Sequence, residues 1–191
     1  MNKGIFLLAC AVLVLGGCTT ITIRTDYDPQ QDFSGLHTFS WATLTQEPTG
    51  NIKLDNPFLD KRIRASVESE LSSKGYVKDA TGKPDFLLRY LVTIQEKTDV
   101  HTIDTYYGGF TPIWCGSRVC YTTGFWVPQT VAYVYEEGTL ILDILDAKES
   151  KLIWRGSAAA EVNESGTPEQ KRARVENAVR KLLAQFPPKG K

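Results

Sequence analysis

The sequence predicts an α+β fold: a mainly antiparallel sheet of about five to six strands, two amphipathic helices packed on one face, and a disulfide-stapled hairpin insert. Three observations lead there. Two stretches repeat apolar residues at helical spacing behind N-terminal caps, while several others alternate with a period of two. Most of the strand signals follow one another with no helix between them, which favours antiparallel pairing. Last, the stretch from Tyr106 to Trp126, YYGGFTPIWCGSRVCYTTGFW, holds two cysteines, seven aromatics, four glycines and a single charge, in a chain that is 23% charged. It marks residues 98–130 as an aromatic, glycine-rich insert.

The elements follow in order. Ile21–Tyr27 alternates and is rich in β-branched residues, as a strand requires. Asp28–Gly35 reads as a turn, and Leu36–Ala42 alternates again with His37, Phe39 and Trp41 on one face. Thr43–Asp55 is a polar loop with Pro48 and Gly50. Asn56-Pro57 then supplies an N-cap and a first-turn proline, Leu59, Ile63, Val67 and Leu71 recur every four residues, and Gly75 stops the helix. Asp85–Glu96 reads as a long strand, apolar on both faces near Leu87 and Leu91 and therefore central. After the insert, Thr130–Glu136, Thr139–Leu145 and Lys151–Val162 give three more strand signals, the last with Leu152, Trp154, Gly156 and Ala158 on one face. Asp146–Ser150 reads as the turn between the last two. Thr167-Pro168 opens a second helix, with Gln170 completing a capping box and Val175, Ala178, Val179, Leu182, Leu183 and Phe186 forming the stripe. Pro187-Pro188 ends it.

The N-terminus bears on location. MNKGIFLLACAVLVLGGC has one cation, Lys3, and an apolar run from Ile5 to Leu15. That run is too short for a spanning helix, which needs about 20 residues, and suits a signal-peptide core. It ends in Leu15-Gly16-Gly17-Cys18, which resembles the bacterial lipobox. Residues 1–17 are therefore expected to be a lipoprotein signal peptide, with Cys18 the acylated first residue of a single domain over 18–191. Buried acyl chains contribute about 0.8 kcal/mol per CH₂, so lipidated Cys18 is expected to hold the chain on a membrane. Thr19 replaces the Asp that in enteric-type sorting retains a lipoprotein at the inner membrane. The expected address is the outer membrane, facing the periplasm.

The mature chain would keep roughly 174 residues, enough for one domain with a sizeable core. Basic and acidic residues balance at 22 each over the whole chain. That excludes the basic surplus or stripe of a nucleic-acid binder.

Five stretches in this order (TDYDPQQDFSGLHTFSW, NPFLDKRIRASVESELSSKGY, PDFLLRY, YEEGTLILDILDAKESKLIWRG and a closing helix ending FPP) resemble a family of bacterial lipoproteins known as domain of unknown function 4136. The resemblance covers nearly all of the mature chain. It implies no established activity, and no catalytic residue is carried over. The aromatic insert looks more individual than the rest.

Several constellations hold residue types that can carry chemistry. Cys115 and Cys120 form a C-x₄-C pair, open to a disulfide, redox exchange or a metal. Zinc wants four ligands, and the two histidines, His37 and His101, stand at no ligand spacing. An exported, oxidising compartment favours a disulfide. Tyr106, Tyr107, Phe110, Trp114, Tyr121, Phe125 and Trp126 either pack on the sheet or form a contact surface for a membrane or another envelope protein. Asp26, Asp28 and Asp32 lack the ending of a calcium loop and suit turn roles. Asp143 and Asp146 fall on opposite faces of a strand, and Arg155 is placed to pair with Asp143 across strands. A cationic face on the last helix, including Lys171, Arg172, Arg174, Arg180 and Lys181, suits solvent or an anionic surface. There is no G-x-S-x-G, P-loop or H-E-x-x-H. The expectation is a non-catalytic binding or structural protein that needs no cofactor; the alternative is a small-molecule or glycan-binding module in the periplasm.

Overall fold

Antiparallel pairing accounts for most of the sheet, and a single crossover accounts for the exception. The structure is a computed structural model and describes residues 20–43, 48–122 and 124–188. The chain runs β1 (Thr22–Tyr27), β2 (Thr38–Trp41), α1 (Pro57–Ser73), β3 (Val77–Lys78), β4 (Phe86–Tyr107), β5 (Thr111–Cys115), β6 (Arg118–Thr122), β7 (Phe125–Asp146), β8 (Leu152–Glu161) and α2 (Pro168–Leu183). Six strands form one sheet in the order β1-β8-β7-β4-β2-β3, and β5-β6 form a separate hairpin. β2 pairs parallel with both β3 and β4, and every other neighbour is antiparallel. The sheet is thus mixed. Parallel strands need a crossover, and α1 provides it between β2 and β4.

Local signals place both helices. The Asn56 side chain accepts from Phe58 N, and Pro57 occupies the first turn. At the other end Gly75 takes φ +92°, while Tyr76 N donates to Leu71 O and Gly75 N to Ser72 O. Those two bonds are a Schellman ending, which needs a residue at ease with positive φ. Thr167 and Gln170 form the expected capping box on α2. Both helices cover one face of the sheet. Ile63, Val67 and Leu71 of α1 and Val179, Leu182 and Leu183 of α2 meet Phe39, Phe86, Leu88, Leu142, Ile144 and Trp154 in one buried cluster.

β8 departs from the expected alternation. Ile144 pairs with Trp154 but Leu145 pairs with Leu152, so Ile153 is an extra residue, a bulge. The phase flips there. Ile153 is buried and Leu152, expected beside Trp154, is exposed.

β2 and β4 are also locked by a side chain. The Asp85 carboxylate accepts from His37 N (3.0 Å), Thr38 N (2.8 Å) and Thr38 Oγ1 (2.8 Å). The bond from the His37 backbone, then those from Thr38, hold its carboxyl below the usual carboxylate range. With the folded value depressed, its contribution is complete above the unfolded pKa and fades as pH falls through the folded one. Asp85→Ala is therefore expected to lower stability by about 1–3 kcal/mol at pH 7 and by less at pH 3, read from urea midpoints at the two pH values.

Candidate functional site

A long β-arm leaves the domain. The sequence suggests a strand ending near Glu96 and, later, two separate strands, yet β4 and β7 are each 22 residues long and pair in one unbroken register from Phe86↔Asp146 to Tyr107↔Phe125. β8 stops at Glu161, opposite Glu137, and β2 reaches only Leu88 of β4. Beyond those points β4 and β7 pair only with each other. The insert is thus a two-stranded continuation of the central strands, with the β5-β6 hairpin beyond it.

The backbone bonding phase of the arm can be read from its base. Glu136 O accepts from Val162 N, and Leu88 O accepts from Ala42 N. Even-numbered residues of both strands therefore turn their peptide groups away from the shared ladder, since these alternate along a strand. Pro128 is even-numbered and faces Asp104. Its missing N–H falls on the outer edge and takes nothing from the ladder.

The disulfide Cys115–Cys120 is present, with Cα atoms 5.8 Å apart, and it closes the tip hairpin. The sequence suggests a four-residue tip, Gly116-Ser117-Arg118-Val119; instead β6 already begins at Arg118, which pairs with Cys115. Only Gly116 and Ser117 turn.

The seven aromatics are displayed. The least exposed is Tyr107 at 44% and the most exposed Phe110 at 81%, with Trp114, Tyr121, Phe125 and Trp126 all above 60%. None belongs to the core cluster. Alternation sets Tyr106 and Trp126, cross-strand neighbours 5.1 Å apart, on one side of the ribbon, and Tyr107 and Phe125 on the other. Phe110 and Tyr121 meet edge to face at 6.4 Å on the tip. Polar groups of the arm bond among themselves: the Gly124 backbone N–H donates to the Tyr106 hydroxyl (3.0 Å) and Gln129 Nε2 to the Tyr107 hydroxyl (2.5 Å). The packing alternative for these rings is overturned by their exposure; the ribbon has no body behind it at that height.

A second polar cluster sits on the sheet face away from the helices. Arg155 grips Asp143 through Nε (2.6 Å) and a terminal nitrogen (2.8 Å). That is the expected cross-strand pair. Arg89, opposite Asp143 on the third strand, adds a bond at 2.9 Å that the sequence alone does not reveal, because it depends on register. Burial pushes the Asp143 carboxyl up, but the bonds from Arg155 and Arg89 outweigh it and the net shift is downward. The carboxylate already occupies both guanidinium groups, so the cluster is a structural tie. On the helix side, burial and then the hydrogen bond to Asp60 push the Tyr90 phenol up.

Other candidate residues take bland roles. Asp28 accepts from Gln30 N and from Lys151 Nζ, and Asp32 accepts from Ser34, so both organise turns. Among the described residues no three His, Cys, Asp or Glu side chains converge. No helix of the described residues is long and apolar enough to cross a membrane. Cys18, Thr19 and the leader 1–17 lie outside the described residues.

The fold defines an α+β domain with two helices on one face of a mixed sheet and a displayed β-arm. The family model described as "Domain of unknown function (DUF4136)" matches residues 23–188, and the chain belongs to that family. No curated protein matches the sequence. Among solved structures, a PDZ domain protein from Parabacteroides distasonis ATCC 8503 is similar at 17% identity and TM-score 0.52, over 90% of this chain. The chain spans 37% of that protein's length, and the likeness shows the fold alone. Two PelC dodecamer structures from Paraburkholderia phytofirmans align at 13% and 11% identity with TM-scores of 0.43 and 0.44, over 86% of this chain and 95% and 96% of theirs.

Proposed function

We propose that this chain is a lipid-anchored cell-envelope protein, tethered through acylated Cys18 to the outer membrane and facing the periplasm, whose role is contact and not catalysis. The arm is the observation that carries the reading. Its outer part, from Tyr106 to Trp126, places seven exposed aromatics and one charge, Arg118, well away from the hydrophobic core. Aromatic side chains with few charges make the centre of contact surfaces, and a soluble ribbon gains nothing in stability from displaying them. The lipobox supports the anchor. Globomycin, which blocks lipoprotein signal-peptide cleavage, is expected to make a precursor about 17 residues longer accumulate in the expressing cell, seen by gel shift and N-terminal mass spectrometry; unchanged maturation would contradict the anchor.

One feature favours the second reading, a small-molecule or glycan-binding module. At the base of the arm the helices part from the sheet and leave a cleft of about 400 Å³ lined by Val92, Ile94, Leu140, Ala158 and Val175. Lys53, Arg62, Glu164, Lys171 and Arg174 also line it, so the cleft pairs aliphatic side chains with charged ones that could orient a ligand. The arm carries the larger exposed apolar surface, which is why contact is preferred.

A further inference from the structure

We infer that the arm lies along the surface of the same bilayer that holds Cys18, with its aromatic tip seated among the lipid headgroups. The inference rests on the anchoring proposed above. Register fixes the geometry. Thr22, the first residue of β1, is level with Ala159, which is level with Thr139, which is level with Thr93. Thr93 and Thr139 mark the base of the arm. β1 is antiparallel to β8 and β8 to β7, so the residues before Thr22 leave the sheet at the end from which the arm projects.

Lengths then select the pose. Cys18 stands four residues before Thr22 and reaches at most about 14 Å beyond it. The arm runs 14 residues from Thr93 to Tyr107, about 46 Å at 3.3 Å per residue, before the hairpin begins. The tip therefore lies at least about 30 Å beyond the lipidated residue. A ribbon aimed straight at the bilayer would have to traverse its whole hydrocarbon core, about 30 Å thick. The open edges of a lone ribbon forbid that, because their peptide groups would find no partner there. Closure by neighbouring copies is opposed by Pro128, whose missing donor sits on the edge that a neighbour would need, and by Asp104 opposite it. What remains is a ribbon laid in the interface, edges hydrated and rings immersed.

The charge pattern fits. From Tyr106 to Trp126 there is no carboxylate, and Arg118 stands beside the outermost turn, where an anionic headgroup would meet it. Four acidic residues of the arm, Glu96, Asp99, Glu136 and Glu137, lie in the half nearer the body; Asp104 is the outermost, two residues short of Tyr106. Tryptophan and tyrosine are the side chains that settle at the headgroup level.

The test uses the full acylated lipoprotein reconstituted into phosphatidylethanolamine/phosphatidylglycerol vesicles carrying phospholipids brominated at shallow or deep acyl positions. Two of the four tryptophans, Trp114 and Trp126, are on the arm, so shallow bromines should remove roughly half of the tryptophan emission and deep bromines much less. In the Trp114→Phe/Trp126→Phe double variant, which keeps the apolar tip, that quenching should disappear. Vesicle-bound protein whose emission is unaffected, or is quenched equally in the double variant, overturns the inference. So does vesicle-dependent disulfide crosslinking between copies that each carry a single cysteine, Thr102→Cys or Thr130→Cys (the two face each other within one arm), which would show edge pairing instead. Protein that fails to sediment with vesicles at all overturns the anchoring beneath it.

Discussion

Trp154→Ala is expected to lower the free energy of unfolding by about 3–5 kcal/mol and the melting temperature by roughly 10–15 °C. Trp154 is fully buried between sheet and helices. Its ring meets Phe186 edge to face at 5.4 Å, and Phe186 in turn contacts Phe33, Tyr76 and Phe86 at 5.6–6.0 Å. The indole lies over Gly156, where even a Cβ would collide with it and with Leu182. The ring thus fills a site shaped by a missing side chain, and no neighbour can swing in to close the hole left by its removal. Cavity and lost transfer energy then add. Trp154→Phe offers the contrast. It leaves a smaller void and removes an indole N–H with no partner among the described residues, so it is expected to cost less than half as much. Urea unfolding of the three proteins checks both values. Equal losses for Ala and Phe would show that the ring's size is not what matters.

The second large effect is a separation of stability from contact. Excising residues 98–134 and joining Lys97 to Tyr135 through Asn-Gly is expected to leave unfolding unchanged to within about 0.5 kcal/mol, while abolishing the proposed envelope contact. The junction follows from the backbone phase. Odd-numbered pairs such as Lys97↔Tyr135 face each other across the ladder, which is the site a two-residue type I′ turn closes. Nothing excised belongs to the core cluster. A two-stranded ribbon is marginal on its own and lends little to the domain. A drop of several kcal/mol in the urea-derived stability would mean that the arm packs against the body.

How far the sequence carries this architecture depends on whether a signal is local. Both helices are legible because Asn56-Pro57, Thr167-Pro168-Glu169-Gln170 and Gly75 act within one turn of the ends they set. The cysteine pair is legible from its spacing and from the exported compartment that the N-terminal sequence leads one to expect. The length of the arm is not, because Lys97-Thr98-Asp99 and Glu136-Glu137-Gly138 look like strand ends. Backbone pairing runs through them regardless, since a ribbon with no sheet or helix packed on it can carry charges at any position. The bulge at Ile153 and the two-residue strand β3 depend on neighbours far along the chain. Arg89 joins Asp143 only through register. The placement of the aromatics is not legible for a related reason: alternation tells which residues share a side, but not whether anything lies against that side. The long unbroken β4–β7 register answers that, and it turns a candidate packing surface into a displayed one.

The most direct test of a contact-making arm is oxidative footprinting of the protein in envelopes of the expressing cell and again after detergent extraction. The account predicts that Trp114, Phe125 and Trp126 are protected in the envelope and oxidised after extraction, while Phe58 and Val77, exposed on the body, react equally in both. Tip aromatics that oxidise as readily in the envelope as in detergent would contradict it.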